Sequence, residues 1–201
     1  MNMLREYIRE LLTESSIDPK ILSMIDRLES GELDDVKVDI DGTKNAGSVT
    51  IYDEFYNSVI ARVEWERPQD SPTLDNQGPC SGAVMVSMSD SYVDGVGPLA
   101  YDIAIEVTGG LIADRGYVSD DAVAVWNYYM NNRSDVEAVQ LDNLENDLTD
   151  DVSDNCDQYV AVDDLAYRDR RWVPSALSKM YRKSGTPVID ELKNRGLLVN
   201  K

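Results

Sequence analysis

Three runs of alternating apolar and polar residues constrain the fold of this chain more than any other feature. They cover residues 36–40, 49–52 and 59–65, and turn-forming residues separate them. Alternation with a period of two places the apolar side chains on one face of a strand, and short connections favour antiparallel neighbours. The sequence therefore predicts an antiparallel meander with one apolar face.

Helices are predicted on both sides of this meander. A short amphipathic helix is predicted over residues 1–14, because the apolar residues between 4 and 12 have helical spacing, and a second helix is expected between the cap Asp18 and Gly31. A strand over residues 83–88 leads through a glycine turn into an apolar helix. The remaining predicted elements are a strand at 111–113, a helix from Ser119 to about 131, and short helices near 143–148, 174–182 and 186–193. The sequence predicts an α+β fold, with a mostly antiparallel central sheet flanked by helices and a helical C-terminal extension.

Charge divides the chain into three parts. The chain carries 19 Lys and Arg, 38 Asp and Glu and no histidine, which gives a net charge of -19. Residues 134–164 contain 11 acids and no base, whereas residues 165–201 contain nine bases and three acids. We therefore expect the basic tail to pack on the acidic segment. The predicted organisation is an N-terminal helix over 1–15, an α/β core over 16–133 and an extension over 134–201 packed on that core.

Composition also excludes several classes of function. Without histidine the chain cannot build a Ser-His-Asp triad, a Cys-His pair or a His-ligated zinc site. The acidic excess argues against direct nucleic-acid binding, because phosphates are bound by Lys and Arg. No apolar stretch approaches the roughly 18 residues needed to span a membrane. The acids of residues 142–157 lack the ligand spacing of a calcium loop, so no metal is expected.

The most informative local pattern is the strand, glycine turn and helix around residues 83–107. Gly95-Val96-Gly97 at the start of a helix presents backbone N–H groups and the positive end of the helix dipole, which suit a pyrophosphate. With Tyr92 in its first position, this segment resembles the Arg/Gln-x-x-Gly-x-Gly/Ala loop of the GNAT family of N-acetyltransferases. The order of elements over residues 18–131 is similar to the same family. The resemblance implies a splayed central strand, with acetyl-CoA held by the loop.

The resemblance also implies catalytic roles for individual residues. Tyr128 is nearest the family's tyrosine that protonates the departing thiolate, and Tyr129 is the alternative in a neighbouring register. The backbone N–H near Met88 would polarise the thioester carbonyl. Since histidine is absent, Glu64 or Glu66 would accept the proton of the amine. The alternative is that these glutamates face solvent on an alternating strand and that Tyr128 packs at the edge of the core.

Three possibilities therefore remain open, and the third of them is an α+β binding module that is unrelated to the GNAT family. The first is transfer of an acetyl group from acetyl-CoA to a cationic amine such as a polyamine or a lysine, which the acidic surroundings would attract. Against it, Tyr92 replaces the family's Arg or Gln, Asp94 adds a negative charge to the loop, and Pro98 lacks a backbone donor. The second is a non-enzymatic virion or host-interaction protein that binds a basic protein through an acidic surface on a GNAT-like scaffold.

The N-terminal segment adds a resemblance of its own. Leu12-Thr13-Glu14, at the end of the first predicted helix, resembles the Leu/Ile-x-Glu cleavage site of prohead proteases in tailed phages. In those phages a short N-terminal helix directs internal proteins into the prohead and is then removed. The resemblance implies a cleavable targeting peptide, a capsid or host protein as partner, and a location in the capsid interior or the host cytoplasm.

Overall fold

The computed structural model describes residues 17–30, 35–67, 82–114, 118–140 and 176–199. The strands of this part are β1 (Val36–Gly42), β2 (Ala46–Asp53), β3 (Ser58–Glu66), β4 (Val84–Ser91), β5 (Leu111–Ile112), β6 (Glu137–Gln140) and β7 (Lys179–Arg182). The helices are α1 (Pro19–Glu29), α2 (Gly97–Thr108), α3 (Asp120–Asn132) and α4 (Pro187–Asn194), and a 3-10 helix covers Ala176–Ser178. The predicted N-terminal helix with its cleavage site, the helix near 143–148 and most of the acidic segment lie outside the described residues.

The seven strands form one sheet in the order β1-β2-β3-β4-β5-β7-β6. All neighbouring strands are antiparallel except β4 and β5, which are parallel. The predicted α+β fold with a mostly antiparallel sheet is therefore confirmed, and so is the meander over β1, β2 and β3.

The registers of the meander show why the alternating runs form a sheet. Ile51 lies opposite Val38 on one side and Ala61 on the other, and Val49 lies opposite Val63. All five side chains are buried. A register shift of one residue would turn these side chains to the opposite face, so burial fixes the pairing.

The C-terminal part differs from the sequence prediction. A helix was predicted near 174–182, and this is wrong for residues 179–182, which form β7 and pair with β5 and β6. The helix predicted near 186–193 is present as α4. Beyond it, the Val38 N–H donates to the Leu197 carbonyl at 2.8 Å, and the Val199 N–H donates to the Val38 carbonyl at 3.0 Å. The C-terminal residues thus cover the edge of β1, which protects an edge strand from other chains.

Helix α2 is central to the fold. It packs on β2 and β3 and also contacts α1 and α4. Its residues from Leu99 to Glu106 are all buried, including the two acids Asp102 and Glu106. A helix that is buried on every side must provide partners for any charge that it carries.

These partners form a buried ionic cluster of Asp102, Glu106, Arg133, Asp135 and Lys183. The Arg133 guanidinium donates to both oxygens of Asp102 at 2.8 and 2.9 Å and to both oxygens of Asp135 at 2.8 and 2.7 Å. The Lys183 ammonium donates to Glu106 at 2.6 Å and lies 3.4 Å from Asp102. The cluster joins α2 to the end of α3, to the residue after β7 and, through Glu106, to α4.

Glu106 also caps α4. Its carboxylate accepts the backbone N–H groups of Val188 and Ile189 at 3.0 and 2.9 Å, which are among the donors that a helix N-terminus leaves without an internal partner. One buried carboxylate thereby binds the N-terminus of one helix and the ammonium of Lys183. These contacts of Glu106 hold α2 in place. The N-terminal end of α2 borders the cleft described below.

Candidate functional site

A cleft opens where β4 separates from β5. Only Val84 and Met85 of β4 pair with β5, so in the described part of the chain the rest of β4 pairs with β3 alone. The N-terminal ends of α2 and α3 lie beside this stretch of β4 and complete the cleft. A polar strand edge and two helix N-termini therefore face a common space.

The cleft has two adjoining lobes of about 330 and 210 Å³. Ser89, Asp90, Tyr101, Ser119 and Ala122 line both lobes. Further lining residues of the larger lobe are Val86, Ser87, Met88, Asp114, Val118 and Trp126, and those of the smaller lobe are Val63, Ser91, Gly97, Asp121 and Val125. The larger lobe lies at the lower end of the size range of small-molecule sites.

The charge of the described lining is entirely negative. Asp90 from β4, Asp114 after β5 and Asp121 from α3 line the cleft, and no Lys or Arg is among its described lining residues. Apolar side chains, among them Val86 and Trp126, form the rest of the wall. A wall of this kind attracts a cation that has an apolar stem and repels a phosphate.

A tyrosine that the sequence analysis did not single out lies in the cleft. The Tyr101 hydroxyl donates to the Ser89 hydroxyl at 2.9 Å, which joins α2 to β4 across the cleft. Burial raises the pKa of Tyr101; the Ser89 hydrogen bond opposes this shift, and Asp114 adds to it. Tyr101 is therefore a neutral phenol, and its hydroxyl proton lies inside the cleft.

The predicted pyrophosphate loop is folded as a turn whose donors are partly used. Gly95 has a φ of +82°, which favours glycine. The Val96 N–H donates to the Val93 carbonyl at 3.2 Å, and the Val96 carbonyl accepts the N–H groups of Leu99 and Ala100 at 3.0 and 3.4 Å. A pyrophosphate would have to break these bonds to use the same donors.

The other predicted cofactor residues are spread around the cleft. Met88 and Gly97 line it, whereas Val96 is buried and Gly95 lies in the exposed turn. The side chain of Tyr92 is 71% exposed and is not among the lining residues. The structure thus brings two of the five predicted residues to the cleft.

The two predicted bases lie on β3 and outside the cleft lining. Val63 lines the smaller lobe, so Glu64, as the next residue of the strand, faces the other side of the sheet. There Glu64 forms an ion pair with Arg62. Glu66 is exposed at the end of the same strand.

The predicted acid Tyr128 is also outside the cleft lining. Its hydroxyl donates to the Asp18 carboxylate at 2.6 Å, and Asp18 also accepts the Lys20 N–H at the start of α1. Burial raises the pKa of Tyr128, and the hydrogen bond and charge of Asp18 raise it further.

The alternative acid, Tyr129, is buried. Its hydroxyl donates to Asp102 at 2.6 Å and to the Pro98 carbonyl at 2.8 Å. The phenols of Tyr128 and Tyr129 thus both hold helices together in this structure.

Further findings concern metals, membranes and related proteins. Within the described residues, His, Cys, Asp and Glu side chains do not gather in groups of three or more that would hold a metal ion. None of the described helices has the length and the apolar character required to cross a bilayer. Compared with protein-family models, with curated proteins and with solved structures, the chain matches none of them.

Proposed function

We propose that this protein is a binding protein with a GNAT-like scaffold, and that its cleft holds a cationic amine such as a lysine side chain of a basic partner protein. The observation that carries this proposal is the acidic lining of one cleft, to which Asp90, Asp114 and Asp121 belong from three separate elements; Asp90 lines both lobes, Asp114 the larger lobe and Asp121 the smaller one. An ammonium group has the charge and the donors to bind a carboxylate in either lobe.

The apolar part of the wall supports the same ligand. Val86, Val118 and Trp126 line the larger lobe beside the carboxylates. An alkyl chain that carries an ammonium group can pack on these side chains while its charged end contacts the acids. A hydrophilic anion such as a phosphate would gain neither contact.

Titration with a small amine tests the proposal. We expect spermidine to bind, and Asp90→Asn and Asp114→Asn each to weaken its binding about fivefold, since an ion pair at contact distance in water is worth about 1 kcal/mol. Glu66→Gln is the matched control, because it removes the same charge from an exposed position outside the cleft lining. If calorimetry gave the same dissociation constant for all three variants, the amine would not bind in this cleft.

A second candidate, acetyl transfer from acetyl-CoA to the bound amine, is favoured by the position of Tyr101. Its phenol lies in the cleft, beside the stretch of β4 that has left β5. In this reaction the neutral amine nitrogen bonds to the thioester carbonyl carbon, the C–S bond breaks, the nitrogen releases a proton to water and the thiolate takes a proton. Tyr101, rather than Tyr128, would supply that proton.

Thermal unfolding with acetyl-CoA separates the two candidates. A ligand at 100 times its dissociation constant adds about 2.7 kcal/mol to the free energy of unfolding, which raises the melting temperature measurably. An unchanged melting temperature at millimolar acetyl-CoA would rule out the transferase. If transfer is detected, we expect Tyr101→Phe to reduce it and Tyr128→Phe to leave it unchanged.

A further inference from the structure

An unusual group of exposed apolar side chains lies outside the cleft lining. The side chains of Phe55, Tyr56, Val59 and Tyr92, which we call the aromatic surface, are 75%, 67%, 41% and 71% exposed. Phe55 is the single phenylalanine of the chain. Exposed apolar side chains that lie together on a surface mark a site of interaction with a partner.

The fold brings these residues to the same end of the sheet. Phe55 and Tyr56 lie in the turn between β2 and β3, and Val59 follows at the start of β3. Tyr92 directly follows β4, and its backbone N–H donates to the carbonyl of Ile60 at 2.8 Å. The rings of Phe55 and Tyr56 contact each other edge to face, with 4.9 Å between their centroids.

The turn that carries two of the rings is held in place. The Tyr56 N–H donates to the Asp53 carboxylate at 2.8 Å, and the Glu54 N–H donates to the Asp35 carbonyl at 3.0 Å. Asn57 adopts a φ of +50°, as the turn requires. A partner would therefore meet a turn that is already ordered and would pay less entropy on binding.

The negative charge around the aromatic surface favours a basic partner. The segments 53–58 and 90–97, which carry the aromatic surface, expose Glu54, Asp90 and Asp94 and contain no Lys or Arg, although Arg27 of α1 donates to the Asp94 carbonyl at 3.3 Å. A second copy of the chain, with its own charge of -19, would be repelled, as would a nucleic acid or an anionic membrane. Exposed rings beside carboxylates suit Arg and Lys side chains, which stack on the ring face and pair with the acid.

We propose that the aromatic surface is a docking site for an arginine-rich segment of a partner protein. The rings contact the guanidinium planes, and the exposed acids Glu54, Asp90 and Asp94 provide the opposite charge. The rings lie outside the cleft lining, but Asp90 belongs both to that lining and to one of the two segments. An amine bound in the cleft therefore competes with the partner for this acid.

Binding of a fluorescent oligoarginine peptide tests this proposal by anisotropy at fixed ionic strength. The variant Phe55→Ser/Tyr56→Ser/Tyr92→Ser removes the rings and keeps every charge. We expect it to bind the peptide roughly tenfold to a hundredfold more weakly, since each exposed cation–π contact is worth about twofold to fivefold in affinity. The single variant Tyr92→Ser should show about a twofold to fivefold loss.

The matched control keeps an aromatic ring at each position and changes only whether the ring carries a hydroxyl group. Phe55→Tyr/Tyr56→Phe/Tyr92→Phe should bind the peptide as the original protein does. Circular dichroism and thermal unfolding verify that all variants are folded, as expected for exposed positions. Equal affinity of the serine variant and the original protein would overturn the proposal. It would also be overturned if the original protein sedimented as a dimer and the serine variant as a monomer, because a second copy would then cover the surface.

Discussion

Lys183→Met is expected to destabilise the protein strongly, because it removes one cation from the buried ionic cluster. The Lys183 side chain is 1% exposed, and its ammonium lies 2.6 Å from Glu106 and 3.4 Å from Asp102. Methionine fills a similar volume, so the substitution removes the charge with little loss of packing. Two buried carboxylates then lose the partner that offsets their burial.

The structure sets the size of the effect. Removing one member of a buried ion pair typically costs about 3–5 kcal/mol, whereas exposed pairs contribute about 0–1 kcal/mol. Asp102 still has the bidentate contact with Arg133, and Glu106 still has two backbone donors. We therefore expect the lower end of this range, about 3 kcal/mol at neutral pH.

The loss should depend on pH in a defined direction. Burial raises the pKa of Glu106 above its usual 4.5, and the charge of Lys183 opposes that shift. Without Lys183 the pKa of Glu106 rises further. Between pH 4.5 and this raised value, the Glu106 carboxyl is protonated in the folded state and ionised in the unfolded chain. Stability then falls as pH rises through this window, by at most about 1.4 kcal/mol per pH unit. The destabilisation by Lys183→Met should thus be greater at neutral pH than near pH 5.

The titration of Asp135 does not change the pH dependence expected for Lys183→Met. Burial alone would raise its pKa, but the hydrogen bonds and charge of Arg133 and the charge of Lys183 lower it below 3.8. A lowered carboxyl pKa contributes stability that is present above 3.8 and is lost only as the pH falls through the lower, folded-state value. Its contribution is therefore constant from pH 5 upwards.

Urea unfolding at pH 5 and at pH 7.5 measures the effect. Arg182→Met is the matched control on the neighbouring residue, because Arg182 pairs with Glu137 at 2.8 Å on the exposed surface. The double variant Lys183→Met/Glu106→Gln removes the buried charge as well and should lose less stability than Lys183→Met, without the pH dependence. The reasoning fails if Lys183→Met costs no more than Arg182→Met, or if its cost is equal at both pH values.

Three further predictions concern single residues. Tyr128→Phe should cost about 1 kcal/mol, because it removes the 2.6 Å hydrogen bond to the cap residue Asp18, and spermidine binding measured by calorimetry should not change. Gly95→Ala should cost about 1 kcal/mol in urea unfolding, because φ at this residue is +82° although an added methyl group would lie no closer than 3.6 Å to Arg27. Trp126→Ala should cost about 3–5 kcal/mol in the same assay, because this ring is 1% exposed and stacks on Tyr181 at 5.1 Å.

The sequence predicted those parts of the fold in which neighbouring residues determine the structure. The meander follows from alternation, and the register that buries Val38, Val49 and Ile51 is the register that the alternation requires. The start of α1 follows from Asp18, which accepts the Lys20 N–H as expected of a cap. Local patterns are sufficient where each element has one apolar face.

The sequence did not predict β7, because its pairing is not local. Residues 179–182 are four residues with buried Met180 and Tyr181 between two partly exposed ends, a pattern too short to separate a strand from a helix. Their partners β5 and β6 come from distant parts of the chain. Such a strand forms because an open sheet edge is available, and one segment alone does not reveal that edge.

The spacing of residues along α3 explains which of its side chains face the cleft. In α3, Ser119, Ala122 and Trp126 are spaced by three and four residues and face the cleft. Tyr128 is two residues beyond Trp126, roughly 200° around the helix, and so points towards α1 instead.

A signal for the buried ionic cluster was present in α2, where Asp102 and Glu106 are four residues apart in an otherwise apolar helix. Carboxylates with that spacing share a face and require buried cations.

A competition experiment decides whether the cleft and the aromatic surface serve the same partner. Asp90 lines the cleft and Tyr92 belongs to the aromatic surface, and two residues of extended chain span only about 7 Å. A basic segment that lies on the rings can therefore place one of its side chains in the cleft. We expect spermidine to weaken the binding of the oligoarginine peptide, and Asp90→Asn to reduce that competition. Sodium chloride at the same ionic strength is the control, because screening alone also weakens charged contacts. Simultaneous binding of both ligands, without mutual weakening, would show that the two sites act independently.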